Sequence, residues 1–456
     1  MRASQNWFGK GIWLSCVGFS PRRVTPYGLW TTLGRNWLSN ILSTSSTRVL
    51  LNGKPGKRIC HARGLRQGDP MSPMLFVLVM EVLNRLLCWI ERNGFLTPID
   101  GLPGNRVSLY ADDPVIFVIP PERDLLAVKA ALGIFGLASG LFSNLEKSTA
   151  VPLHCTELDV ARLQAILACK LETFPRRYLG IPLSVYKLKR SEEQFLIDKV
   201  AARIPGWKGQ LLNVAGRVAL VKATLSAIPI HTSIALCLSP WAIQAIDKLR
   251  RAFIWAGANV VAGGKCKVAW VKVCRPRELG GLGISDLRRV GVALRVRWVW
   301  RDRIEGRWPA TREKSTMALF QAATVFCVGN GQSTYFWTDK WIKGSSFAML
   351  APNVYAAVRS RKKLSTVAEA LPGSEWVTHI MAAPTLQVLL EISLICDLLE
   401  DFNLSQQPDT FTWGLTADRA YSAASAYGAM FLGSSPVLGA KQIWRTAAPP
   451  RVHTFF

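Results

Sequence analysis

Apolar positions in the first third of the chain switch between two periods, and the switches mark the elements. Leu75, Leu78, Val79, Val82, Leu86 and Trp89 recur at helical spacing, which predicts a helix with Ser72 as N-cap, Pro73 in its first turn and Asn93-Gly94 as its stop. Shorter β-type runs flank it. Upstream, Arg48-Val-Leu-Leu51, the pair Asn52-Gly53 and Lys57-Arg58-Ile59 predict a basic hairpin. Downstream, residues 106–109, a turn over Tyr110-Ala-Asp-Asp113 and residues 115–119 predict a second hairpin with acids at its tip. Helices are expected over 125–137 and 158–171, with a loop holding Asn144 and Lys147-Ser148 between them. From Ser191-Glu-Glu-Gln194, read as a capping box, the pattern becomes helical, with further helices over 214–227, 242–256 and 287–303. Gly280-Gly-Leu-Gly283 reads as a tight turn into the last of these. Residues 1–45 show no sustained period, and 345–440 give mixed signals.

The predicted fold class is α+β: an antiparallel sheet with helices, then a helical region and a mixed C-terminal region. The chain of 456 residues is longer than one core usually serves, and with 49% apolar residues it can bury several. Five segments are expected: 1–45, degenerate; 46–155; 156–257; 258–345; and 346–456.

Charge adds what periodicity cannot. Lysine and arginine total 56 against 30 acids, a net +26, interleaved with 17 tryptophans. Such a field favours a polyanionic partner bound in a salt-dependent way. Arg203, Lys208, Arg217, Lys222, Lys248, Arg250 and Arg251 are expected to form a basic side on the helical region. The ten cysteines form no C-x-x-C pair, so neither a zinc ribbon nor a disulfide framework is indicated. The longest apolar stretch, 75–90, is interrupted by Glu81, Asn84 and Arg85, which argues against a membrane span, and no targeting signal is read.

Arg63-Gly-Leu-Arg-Gln-Gly-Asp-Pro-Met-Ser-Pro73, followed by Tyr110-Ala-Asp-Asp113, suits phosphoryl transfer at a divalent-metal site. Two metal ions need carboxylates converging from different segments. Gly68 allows close backbone approach, and nearby cations stabilise charge on a triphosphate. With Arg48-Val-Leu-Leu-Asn-Gly53, Gly140, Asn144, Lys147-Ser148, Tyr178-Leu-Gly-Ile-Pro182, Gly206-Trp207, Gly216-Arg217 and Val328-Gly-Asn-Gly-Gln332, these motifs resemble the reverse transcriptases of non-LTR (LINE-type) retrotransposons, the plant kind most closely, over roughly residues 38–456. Residues 411–456 resemble the start of the zinc-binding module of such polymerases, with its ligands expected beyond Phe456 and therefore no zinc within this chain.

The resemblance implies a right-hand polymerase fold, with a partial palm and a helical thumb, and RNA-templated DNA synthesis on a primer with Mg²⁺ or Mn²⁺. It implies Asp112 as a metal ligand, Asp113 as its neighbour, Tyr110 by the primer terminus, Arg66, Gln67 and Gly68 at the templating pair and incoming deoxynucleotide, and Lys147 at the pyrophosphate leaving group. Its partners would be an RNA template and a DNA primer, with no membrane, in an intracellular, nuclear setting. Two features depart from that pattern. No Asp or Glu precedes Asp69, where the family's first catalytic aspartate belongs, and Pro114 follows the carboxylate pair. The expectation is therefore a truncated family member with weak or absent activity. The alternatives are a non-catalytic nucleic-acid-binding remnant or domesticated protein, and a product whose palm lacks a strand and cannot fold.

Overall fold

In the computed structural model, the described residues are 11–15, 19–21, 39–40, 42–61, 64–65, 68–99, 106–184, 186–262, 264–305, 313–381, 385–446 and 448–449. The chain divides into two compact units, the first reaching Arg177 and including Leu183–Val185, the second comprising Tyr178–Pro182 and Tyr186–Phe456.

The first unit begins with β1 (Gly11–Ser15) and β2 (Phe19–Pro21). Two small hairpins follow: β3 (Ser46–Thr47) pairs with β6 (Ile59–Cys60), and β4 (Leu50–Leu51) pairs with β5 (Lys54–Pro55). Asn52 and Gly53 both take positive φ, 48° and 80°, as a two-residue hairpin turn of the mirror-image type requires. The inner strand is thus Lys54–Pro55, closer to the turn than the expected 57–59.

Helix α1 (Ser72–Arg92) has Ser72 inside it rather than capping it. The N-cap position is Met71, without a side-chain cap bond, and Asp69 closes the turn ahead of it, its Oδ1 accepting from the Met71 N–H at 3.1 Å. Strands β7 (Val107–Tyr110) and β8 (Asp113–Val118) form the acidic hairpin, followed by α2 (Glu122–Ser139), β9 (Leu141–Ser143), β10 (Thr149–Leu153), α3 (Glu157–Leu167) and β11 (Lys170–Leu171). The predicted helix over 158–171 ends early because Ala168 turns left-handed (φ 49°), freeing Lys170 and Leu171 to pair parallel with β10.

The main sheet has the order β11-β10-β1-β8-β7, and β2 pairs separately with β9. So the sheet does possess a second strand beside β8, drawn from a stretch in which no sustained period was read. Ile116 and Val118 of β8 and Ala150 of β10 join Met80, Leu83 and Leu87 of α1, Leu125, Val128, Leu132 and Phe135 of α2, and Leu163 and Leu167 of α3 in one buried core. Met74, Val77, Leu78 and Trp89 of α1 remain exposed, because that helix is apolar over more than the face it buries. By length and composition alone, α1 and the stretch Val214–Ala235 are apolar enough to cross a membrane.

After the short pair β12 (Arg176–Tyr178) and β13 (Ile181–Leu183), the second unit opens with α4 (Arg190–Ala201), α5 (Gly206–Leu211) and α6 (Val214–Leu220). The cap box of α4 lies two residues before the predicted one: Glu192 accepts from the Lys189 N–H at 2.6 Å. A single π turn (Val221–Leu225) links α6 to α7 (Ala227–Ala235), with the Ser226 N–H donating to Val221 O at 2.8 Å. The helical path thus runs past Pro229, which falls in the first turn of α7 where a missing N–H costs little. Helix α8 (Pro240–Ala256) is capped by Ser239 and closed by Gly257 at φ 69°.

Two members of the expected basic side are spent internally. Arg250 is fully buried against Asp247 (2.7 Å), and Arg217 donates to the carbonyls of Gly209, Gln210 and Ile254.

Beyond α9 (Leu287–Glu305) and α10 (Lys314–Ala323), strands β14 (Thr324–Cys327) and β15 (Thr410–Trp413) pair beside an aromatic core of Phe320, Phe336, Trp337, Phe347, Trp376 and Trp413. The loop over 328–334 is clamped by one carboxylate. Asp409 accepts from the N–H groups of Gly329, Gly331, Ser333 and Thr334 at 2.7–2.9 Å and from the Thr334 hydroxyl at 2.9 Å.

Candidate active site

The β7–β8 hairpin turns on Ala111 and Asp112, with Tyr110 opposite Asp113 and Leu109 opposite Pro114. Ala111 takes φ 50°, a left-handed conformation that costs a non-glycine residue about 1 kcal/mol or more.

Pro114 does not upset this register. Antiparallel ladders alternate hydrogen-bonded and non-hydrogen-bonded pairs. The Phe117 N–H donates to Arg106 O at 2.9 Å, so by alternation Leu109–Pro114 is a non-hydrogen-bonded pair and the absent N–H faces away from β7. It faces the β1 side instead. There the β1–β8 pairing ends at Ser15–Val115, one residue short of Pro114.

The foot of the hairpin is anchored by charge. Arg106 is buried and donates to Glu91 (2.8 Å), to Thr97 O (2.5 Å) and to Phe117 O (3.4 Å). Asp124 holds the neighbouring segment by accepting from the Thr97 N–H at 2.8 Å. Tyr110 and Asp112 at the tip are exposed, whereas Asp113 is half-buried. Burial, then the negative charge of Asp112, push the Asp113 carboxyl above its ordinary range.

Register places Lys147 on the same edge of the sheet. Ser15 lies between Val115 of β8 and Thr149 of β10, so all three sit at one end. Asp113 precedes Val115 by two residues, and Lys147 precedes Thr149 by two. With neighbouring strands about 4.8 Å apart, the two strand ends stand about 10 Å apart across β1. The Lys147 loop is a tight turn: the N–H groups of Lys147 and Ser148 donate to Asn144 O at 3.2 and 3.0 Å, and the Lys147 side chain is exposed.

Gly68 takes φ 89° just before Asp69. Arg66 and Gln67 lie outside the described residues, as does Arg63. The residues missed from sequence are those of β1, whose only signal was the short apolar run Ile12-Trp13-Leu14.

What the arrangement offers a metal is limited. On the side of β8 away from β7, the neighbouring strand β1 ends at Ser15, and the next residues in sequence are Cys16, Val17 and Gly18. A second carboxylate therefore does not enter from the neighbouring strand. Among the described residues, no three His, Cys, Asp or Glu side chains gather closely enough to hold a metal ion.

Residues 22–183 match the reverse transcriptase (RNA-dependent DNA polymerase) family. Similar proteins extend the likeness. A putative ribonuclease H protein of Arabidopsis thaliana is 26% identical over 298 residues, which is 57% of this chain and 46% of that protein. A Pol polyprotein from a type-1 retrotransposable element R2 of Popillia japonica is 30% identical over 158 residues, 32% of this chain and 21% of the polyprotein. A Pol polyprotein from the type-2 element R2DM of Drosophila melanogaster is 24% identical over 302 residues, 63% of this chain and 26% of the polyprotein. The chain thus spans less than half the length of each of these relatives. Residues 22–183 thus carry a reverse transcriptase domain, and the chain is similar over part of its length to polyproteins of retrotransposable elements.

Proposed function

We propose that this chain is a nucleic-acid-binding piece of a LINE-type reverse transcriptase whose palm has an incomplete carboxylate set and little or no polymerase activity. One observation carries the reading: β1, the strand lying against β8, reaches the carboxylate hairpin with Leu14 and Ser15 rather than an acid. A two-metal centre needs carboxylates from more than one segment, and Asp112 and Asp113 are adjacent on a single turn. They suit one weakly held divalent ion, Mg²⁺ or Mn²⁺, so no polymerisation step is routed through them.

The remaining assignments stand on the same footing. Tyr110, exposed beside the tip, is the residue for a primer terminus. Gly68 with Arg66 and Gln67 would meet the templating pair and deoxynucleotide, and Lys147, on the same sheet edge as Asp113, would meet the leaving phosphate. The palm would occupy 46–155 with β1 added, the thumb 156–257, a connection 258–345 and a zinc-module-like region 346–456. The partners are an RNA template and a DNA primer, attracted by the net +26 charge.

Purified protein on a primed RNA template tests this. Salt-dependent binding, unchanged in Asp112→Ala, with no extension by either protein, is the expected result. Extension by the parent chain that Asp112→Ala abolishes would refute it.

A further inference from the structure

The second unit brings two cations to one glycine. The Gly280-Gly-Leu-Gly283 segment is the tight turn expected, with φ of 85° at Gly280 and 63° at Gly283. Gly283 is exposed, and a Cβ on it would lie 3.6 Å from Lys222 Nζ and 3.9 Å from Arg277 Nε. Both nitrogens therefore border the space left by the missing side chain. Lys222 projects from the π turn between α6 and α7, a local geometry often found at functional sites. The Arg277 guanidinium lies 4.6 Å from the centre of the Trp444 ring, in α13 (Ala440–Arg445), which orients it and leaves its N–H edge for another group.

Burial, then the charge of Arg277, bring the Lys222 ammonium down to about 8. Two like charges facing one open space, one of them half-buried, constitute an arrangement that an anion would relieve. The space is open to solvent beside exposed Arg277 rather than enclosed. That suits a phosphate within a chain running across the surface, and the net +26 charge points to a polyanion rather than a free ion.

We propose that Lys222 and Arg277, set on either side of Gly283 with Trp444 against the guanidinium, form a binding site for a backbone phosphate of a nucleic acid. The site lies outside the family match at residues 22–183 and requires neither Asp112 nor polymerisation. The glycines do not cradle the phosphate with their N–H groups, since that of Gly283 already donates to Arg275 O at 2.9 Å. Gly283 contributes by carrying no side chain.

Footprinting on the unaltered protein is the first test. Limited acetylation near neutral pH, read by mass spectrometry, should show Lys222 protected by a short oligothymidylate, with inorganic phosphate protecting only at far higher concentration. Protection by neither, or by inorganic phosphate alone, would overturn the proposal. Salt-dependent binding of the same oligothymidylate is the second test. Lys222→Gln with Arg277→Gln should lower the slope of log K against log salt by about 1. Gly283→Asp, which seats a carboxylate between the cations, should do the same. Lys362→Gln with Lys363→Gln, equal in charge removed, should lower it less. Equal loss in the control pair would assign the effect to net charge and reject the site.

Discussion

The hairpin tip at Tyr110–Asp113 and the loop at Gly329–Thr334 are both short turns served by aspartate, and they use it in opposite ways. In the loop, Asp409 comes from a distant part of the chain and is consumed by backbone N–H and hydroxyl donors, which makes it part of the scaffold. At the tip, Asp112 is exposed, and its neighbour Asp113 is held above its usual range by burial and by Asp112 itself. A carboxylate surrounded by donors stabilises a fold. A carboxylate placed beside another carboxylate needs a cation to be comfortable, and the neighbouring strand supplies no third acid to help bind one.

Stability measurements can break this contrast most forcefully. Glu91→Ala leaves the buried Arg106 guanidinium at the hairpin foot without its carboxylate, and denaturant titration should show a loss of about 3 kcal/mol or more. Asp409→Ala strands several N–H groups in the second unit and should cost about 2–3 kcal/mol. Asp112→Ala, in the same assay, should change stability by less than about 0.5 kcal/mol. A large loss at Asp112 would mean that the tip is scaffold too.

Acid titration sharpens the same comparison. Burial raises the Asp409 carboxyl, but the N–H groups of Gly329, Gly331 and Ser333 and the Thr334 hydroxyl outweigh it and hold the group below its ordinary value. A depressed acid contributes stability above its unfolded value, about pH 4, and loses it as pH falls through the lower folded value. Asp409→Asn should flatten the stability profile over that acid window. Asp113 runs the other way: its raised value means that its charged form disfavours folding as pH rises past the unfolded value. The smallest expected effect is a downward move of the Asp113 titration in Asp112→Asn, followed by carboxyl-carbon NMR.

Local signals made much of this legible. Asn52-Gly53 dictated its hairpin, and the apolar period over 75–89 the helix α1, though its core face is Met80, Leu83 and Leu87 rather than the face that includes Leu78 and Trp89. The motif Tyr110-Ala-Asp-Asp113 located the tip because a two-residue turn between apolar runs has few alternatives. What stayed hidden depended on partners distant in sequence. Gly11–Ser15 is too short to show a period, and it becomes a strand only because β8 and β10 offer hydrogen bonds on both sides. Arg250 reads as surface charge until its half-buried partner Asp247 is seen, and nothing local marks Arg106 as the buried partner of Glu91. Ser72 was read as the cap by its residue type, but the helix begins with it, and the turn ahead is closed instead by Asp69.

The capacity of the hairpin to hold a catalytic pair of metal ions decides whether this palm can polymerise. Titration of Mn²⁺ followed by electron paramagnetic resonance, with primer, RNA template and deoxynucleotide present, measures it directly. The expected result is at most one weakly held ion per chain attributable to the hairpin, lost in Asp112→Ala. Two ions held together, with the spin coupling of a close pair and both lost in Asp112→Ala, would contradict it.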